Sequence, residues 1–145
     1  MKKVLFAAAL LFGAITASAQ LSVVKEAKAL KGKPEEAAKV IEAALTNSET
    51  ANDPETWQLA GDFQKAIYDA ENEKMYLSAV DKSKVADTAK MYNSLVKMFE
   101  YYLKCDEVEQ AAVANGSIKK AKDRKKNAAE LLKVRTNLVN GGVDA

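Results

Sequence analysis

Gly32-Lys-Pro-Glu-Glu-Ala-Ala-Lys-Val-Ile-Glu-Ala-Ala-Leu45, followed after the polar run 46–52 by Asp53-Pro-Glu-Thr-Trp-Gln-Leu-Ala-Gly-Asp-Phe63, is the stretch on which the fold turns. Both pieces carry helix-start chemistry. Pro34 suits a first helical turn, where its missing N–H costs nothing, and Glu35 and Glu36 sit at the positive end of the helix dipole. Ala37, Val40, Ile41, Ala44 and Leu45 then make an apolar stripe at helical spacing. In the second piece Asp53 can cap, Pro54 takes the first helical position and Glu55 follows. Trp57, Ala60, Phe63, Ile67 and Ala70 recur every three or four residues along one face.

Outward from this stretch the same grammar holds. No segment alternates apolar and polar residues for long enough to make a strand, and Ala, Lys, Glu and Leu favour helix. The sequence predicts an all-α chain with further helices over 21–30, about 83–106 and about 117–140. The first ends near Gly32, placed as a C-cap. Val85, Met91, Leu95, Met98, Phe99, Tyr102 and Leu103 form the expected apolar face of the fourth segment. Ala121, Ala128, Leu131, Leu132 and Leu138 form that of the fifth, which Gly141-Gly142 interrupts. Glu71-Asn72-Glu73-Lys74 breaks the periodicity of the third segment, so 75–80 reads either as more helix or as a connector.

Residues 32–63 resemble the tetratricopeptide repeat. Gly32, Glu36, Ala37, Ile41 and Ala44 match the second helix of a repeat in order and spacing, and Asp53, Pro54, Trp57 and Gly61 match the junction into the next. The chain departs from the pattern by about five extra residues between Ala44 and Pro54, and Ala60 stands where the family usually has Leu. The resemblance implies antiparallel helical hairpins stacked as a short tetratricopeptide-like array, with a concave surface that binds a peptide or protein segment. A generic helical bundle is the rival architecture. Small residues at Ala37, Ala44, Ala60 and Gly61 permit close helix crossings under either reading.

The beginning of the chain reads as an address. Lys2 and Lys3 precede the uncharged run Val4–Ile15, and Ala17-Ser18-Ala19 is a small-x-small cleavage pattern before Gln20. We expect a signal peptide over 1–19 and an exported helical domain over 20–145, periplasmic or secreted, with no stable membrane anchor after cleavage. Without Lys2 and Lys3 the remaining chain balances 20 basic against 20 acidic residues. The balance is uneven. Residues 117–136 carry eight basic and two acidic side chains, a net of +6.

Several chemistries are excluded. The chain has no His and one Cys, so it holds no Ser-His-Asp triad, no imidazole-ligated zinc and no intrachain disulfide. Cys105 reads either as a reactive thiol or as a small apolar residue ending a packed helix. Met91, Tyr92, Met98, Phe99, Tyr101 and Tyr102 share one helix and read either as a stripe that binds a peptide or hydrophobic ligand or as core, with Tyr101 turned about 100° from Tyr102 toward a surface contact. Lys119, Lys120, Lys122, Arg124, Lys125 and Lys126 form a candidate electrostatic patch for an acidic protein surface or anionic lipid, against a plainly solvated helix face. No aromatic residue interleaves them, and export argues against nucleic acid. Paired carboxylates occur at Glu35/Glu36, Glu71/Glu73 and Asp106/Glu107/Glu109.

The expected function is a non-catalytic protein–protein interaction scaffold of the bacterial envelope, without cofactor or metal. A small envelope enzyme using a carboxylate pair and a ligand-carrying helical bundle are the alternatives. Leu138 and Gly142 repeat the spacing of Trp57 and Gly61. They suggest either the start of another repeat in a longer array, self-association through the C-terminal end, or folding back of Leu138 and Val139 on the fourth segment. The export reading has a direct check. Mass spectrometry of the protein from an exporting bacterial host should find Gln20, or its cyclised form, as the first residue; retained Met1 would refute it.

Overall fold

The structure, a computed structural model, describes residues 22–143, with side chains through residue 140. The expected signal peptide lies outside the described residues. Five helices and no strand make up the described chain: α1 (22–29), α2 (Pro34–Leu45), α3 (Pro54–Leu77), α4 (Thr88–Ala114) and α5 (Arg124–Val143). None is long and apolar enough to cross a membrane.

Helix starts follow local chemistry. Pro34 opens α2 with Glu35 and Glu36 in its first turn. Asp53 caps α3, its Oδ1 accepting from the Glu55 N–H at 3.0 Å. Asp87 caps α4, accepting from the Lys90 N–H at 2.9 Å. That cap starts α4 at Thr88, not near residue 83, and leaves Val85 in the preceding loop, 77% exposed. Gly32 is not a left-handed cap: the turn after α1 closes with Lys33 N–H donating to Leu30 C=O at 2.7 Å, and φ at Gly32 is not positive. The glycine that takes the left-handed conformation is Gly116, φ +77°, just after α4.

Three helices run past their expected ends, and in α3 and α4 tertiary partners hold the extra turns. α3 continues through Glu71–Lys74 to Leu77, since Glu71 is buried and paired. α4 continues past Asp106 to Ala114, with Glu109 and Ala112 buried. The backbone of α5 stays helical through Gly141-Gly142. Residues 117–123, expected as helix, are irregular.

α3 is the shared wall between two cores. Its Ala60, Phe63 and Ile67 pack with Val24 and Ala27 of α1 and with Ala37, Ala38, Ile41 and Ala44 of α2. Its Tyr68 packs with Met91, Leu95, Met98 and Tyr102 of α4, against which Leu131, Val134 and Leu138 of α5 lie half-buried. Gly61 faces the second core, where a Cβ would overlap the ring of Tyr102. Leu138 thus folds back on α4, while Val139 stays exposed. The buried stripes are narrower than the spacing predicts: Ala70, Leu103, Ala128 and Leu132 face outward, and Ala121 lies in the loop before α5.

Helices also meet the next but one. Lys28 of α1 pairs with Glu55 of α3 at 2.9 Å. Lys90 and Lys97 of α4 reach Glu35 and Glu42 of α2 at 2.9 and 2.8 Å. Gln58 and Tyr68 of α3 accept from Asn127 and Asn137 of α5 at 2.7 and 2.6 Å.

The Gly61–Tyr102 contact gives a sharp expectation. An exposed Gly→Ala change in mid-helix stabilises by about 1 kcal/mol. Here the overlap reverses the sign, and Gly61→Ala should destabilise by about 1–3 kcal/mol in urea titrations. Combined with Tyr102→Leu, the cost should be well below additive. A stabilising Gly61→Ala would refute the close approach.

Candidate functional site

α2 is 12 residues long and α4 is 27, and this mismatch opens a groove. Lys97 of α4 is level with Glu42 of α2, so the turns of α4 beyond Lys104 have no α2 beside them. The connector 46–53 passes below. It is held by Thr50 Oγ1 donating to Ala44 C=O at 2.6 Å and Asn52 Nδ2 donating to Ser48 C=O at 2.7 Å. The resulting groove has a volume of about 760 Å³. Leu45, Trp57, Val108 and Ala111 supply apolar walls, and Lys104 and Glu107, paired at 2.7 Å, stand on its rim.

Trp57 is fixed in this groove rather than buried in the core. Its Nε1 donates to Ala51 C=O at 2.7 Å, and its ring meets that of Tyr101 with centroids 5.9 Å apart and planes tilted 56°. Tyr101, expected as a surface contact, is therefore half-buried against Trp57 and the first core. Gly32, Ala37, Ile41, Ala44, Pro54 and Gly61 lie outside the groove walls, and Ala37, Ile41, Ala44 and Gly61 are buried. A smaller cleft of about 410 Å³ separates α1 from α3, with Lys28, Lys31, Glu55 and Asp62 around Leu59 and Phe63.

Most of the paired carboxylates among the described residues are engaged by cations or by backbone donors. Glu35 binds Lys90, Glu36 binds Lys33, Asp106 faces Arg124 at 3.4 Å and Glu107 binds Lys104. Glu71 and Glu109 turn inward, 2% and 0% exposed, and each holds a helix junction. Glu71 accepts from the Asp87 N–H at 2.9 Å and meets Lys74 and Lys90 at 2.8 and 2.7 Å. Hydrogen bonds from Lys74 and Lys90 hold its carboxyl at about 2, well below the ordinary value. Glu109 accepts from the Lys122 and Asp123 N–H groups at 3.0 and 3.3 Å, closing the turn into α5. Sequence reading grouped both with exposed neighbours. Their spacing before the next helix start was the available signal.

Cys105 is fully buried. Its Sγ lies 3.4 Å from Pro54 C=O and 3.5 Å from Gln58 Oε1. Burial, with nearby Glu109, pushes its thiol up to about 12, so little nucleophilic thiolate exists near neutral pH. The basic cluster is divided. Lys119, Lys120 and Lys122 lie in the loop before α5, while Arg124 and Lys126 on α5 point toward Asp106 and Asp62 at 3.4 and 3.5 Å. Lys125 makes no ion pair among the described residues. No grouping of three or more metal-ligating side chains occurs among the described residues.

Comparison with protein-family models, with curated proteins and with solved structures returns no match for this chain.

The Glu71 junction makes acid stability a measurable consequence. Because folding lowers this carboxyl from its ordinary 4.5 to about 2, its contribution is complete above about 4.5 and is lost as pH falls toward 2. Glu71→Gln keeps an acceptor for Asp87 but removes the charge facing Lys74 and Lys90, and should cost about 1–3 kcal/mol at neutral pH. Its melting temperature should fall less steeply than wild type between pH 4.5 and 2. Parallel acid limbs in thermal melts would reject the assignment.

Proposed function

We propose that this chain is a non-catalytic interaction scaffold, exported to the bacterial envelope, which binds an apolar segment of a protein partner in the Trp57 groove. The groove carries the reading. A fixed indole, the aliphatic wall of Val108 and Ala111, and a Lys104–Glu107 rim offer apolar anchorage with a polar border, the usual anatomy of a peptide-accepting surface. Trp is also the residue type most enriched among binding hot spots. The titratable groups of the interior have other work. Glu71 and Glu109 hold backbone N–H groups and Cys105 is protonated, which favours binding over catalysis.

A tetratricopeptide-like array is the architecture we assign to it. Contacts between consecutive helices, and between α1 and α3, α2 and α4, and α3 and α5, support this. Stacked hairpins make such contacts, because each pair buries its free face on its neighbours. The unequal helix lengths are this chain's departure from a regular repeat, and that departure creates the groove.

The test is capture from the envelope of an exporting host with a tagged chain, followed by cross-linking and mass spectrometry. Val108→Glu, on the groove wall, should lose the captured partner and leave the melting temperature within a few degrees. Replacing Lys119, Lys120, Lys125 and Lys126 by Gln should weaken capture only if the basic segment also docks. A captured set unchanged by Val108→Glu would reject the groove.

A further inference from the structure

The α4 flank of the Trp57 groove continues a charge repeat that α2 has already used. Lys90, Lys97 and Lys104 stand seven residues apart, two helical turns, and share one side of α4. The first two reach Glu35 and Glu42 of α2, also seven apart, at 2.9 and 2.8 Å. Both series ascend together, so α2 and α4 run in the same direction with lysine–carboxylate rungs between them. The third lysine comes after α2 has ended at Leu45. Lys104 lines the groove, and its ion pair among the described residues is with Glu107 of its own helix, at 2.7 Å.

The chain does not supply the third rung itself. Glu49 is the next step of the acidic series 35, 42, 49, but it lies in the connector and makes no ion pair among the described residues. That connector follows a non-helical path, tied by Thr50 Oγ1 donating to Ala44 C=O and by the Trp57 indole donating to Ala51 C=O. Lys104 is nonetheless able to hold a second carboxylate. Lys90 does so in the same series, meeting Glu35 at 2.9 Å and Glu71 at 2.7 Å.

The shape of the opening favours a helix as its occupant. The α4 flank between Lys104 and Asn115 spans about 17 Å, or three helical turns. Val108 and Ala111 project little from it, which leaves room for another helix to approach. An extended segment binds best by adding to a sheet edge, and no strand exists among the described residues. A helix satisfies its own backbone groups and needs only an apolar face for Trp57, Val108 and Leu45.

We propose that the Trp57 groove takes an amphipathic helix of a partner protein, lying along α4 beyond the end of α2 and presenting a carboxylate to Lys104. The proposal rests on the reading of this groove as the binding surface, and it adds the form and charge of what binds.

Trp57 is the only tryptophan in the chain, so its emission reports occupancy of the groove. The probe is a synthetic, side-chain-cross-linked amphipathic helix of about four turns, free of aromatic residues, with one Glu flanking a Leu face. A twin carries Lys in place of that Glu, and a third, uncross-linked peptide is interrupted by proline. The Glu helix should shift Trp57 emission saturably, with the Lys twin and the proline peptide each about ten-fold weaker or worse. Lys104→Glu should reverse the order of the Glu and Lys helices while leaving the melting temperature within a few degrees. Lys104→Gln should bring the two helices within a few-fold of each other. No saturable shift with the Glu helix would overturn the proposal, as would equal affinity for the twins or tighter binding of the proline peptide. If Val108→Glu abolishes binding but Lys104→Glu leaves the order unchanged, the groove reading survives and the acidic helix falls. If binding persists in Val108→Glu, both fall. A dimeric wild type whose Trp57 emission shifts on dilution would place a second copy of this chain in the groove and also overturn the proposal.

Discussion

The ring of Tyr102 lying on the bare backbone of Gly61 is the contact from which the arrangement of the larger helices follows. With no Cβ at that point α3 and α4 approach at the close end of helix packing distances. The Tyr102 hydroxyl then reaches Asp62 at 2.7 Å, and burial together with that carboxylate pushes its ionisation upward. Cys105 and Glu109, one and two turns further along α4, are carried into the same interface. Asn127 of α5 reaches Gln58 only because α3 and α4 are near enough for α5 to lie across both.

Around that contact the chain uses buried carboxylates where a small core leaves backbone donors unmet. Helix N-termini expose N–H groups without intrahelical partners. Glu71 serves the entry to α4 and Glu109 the entry to α5, each from the helix before. At Glu71 the charge is kept inside the protein, since the lysines and the backbone N–H that satisfy the carboxylate also hold its proton off. The device ties each turn to the preceding helix and spends interior acids on architecture. The openings left for binding arise elsewhere, where helices of unequal length fail to cover one another.

Much of the fold was legible in the residues. Pro34, Asp53 and Pro54 announce helix starts through local chemistry, and Ala60, Phe63 and Ile67 announce a buried face through spacing. What escaped reading has physical causes. α3 buries two faces, so a single stripe describes half of its contacts and leaves Gln64 and Tyr68 unassigned. The cap at Asp87 is masked in the sequence by Val85, which imitates the start of an apolar face. Tyr101 was placed at the surface by its angle from Tyr102, yet Trp57 comes from another helix to cover it. Leu103 and Leu132 fit a helical period but fall on its outer flank.

Sequence alone determined the all-α class, most helix starts and the close crossing at Gly61, because propensity, capping and residue size act over a few neighbouring residues. Only the tertiary structure decided where the helices end and what each acid, aromatic and cysteine does. Those outcomes depend on partners as far apart along the chain as Glu109 and Asp123, Tyr102 and Asp62, or Asn137 and Tyr68. Burial and pairing at such separations come from packing, which no local pattern encodes.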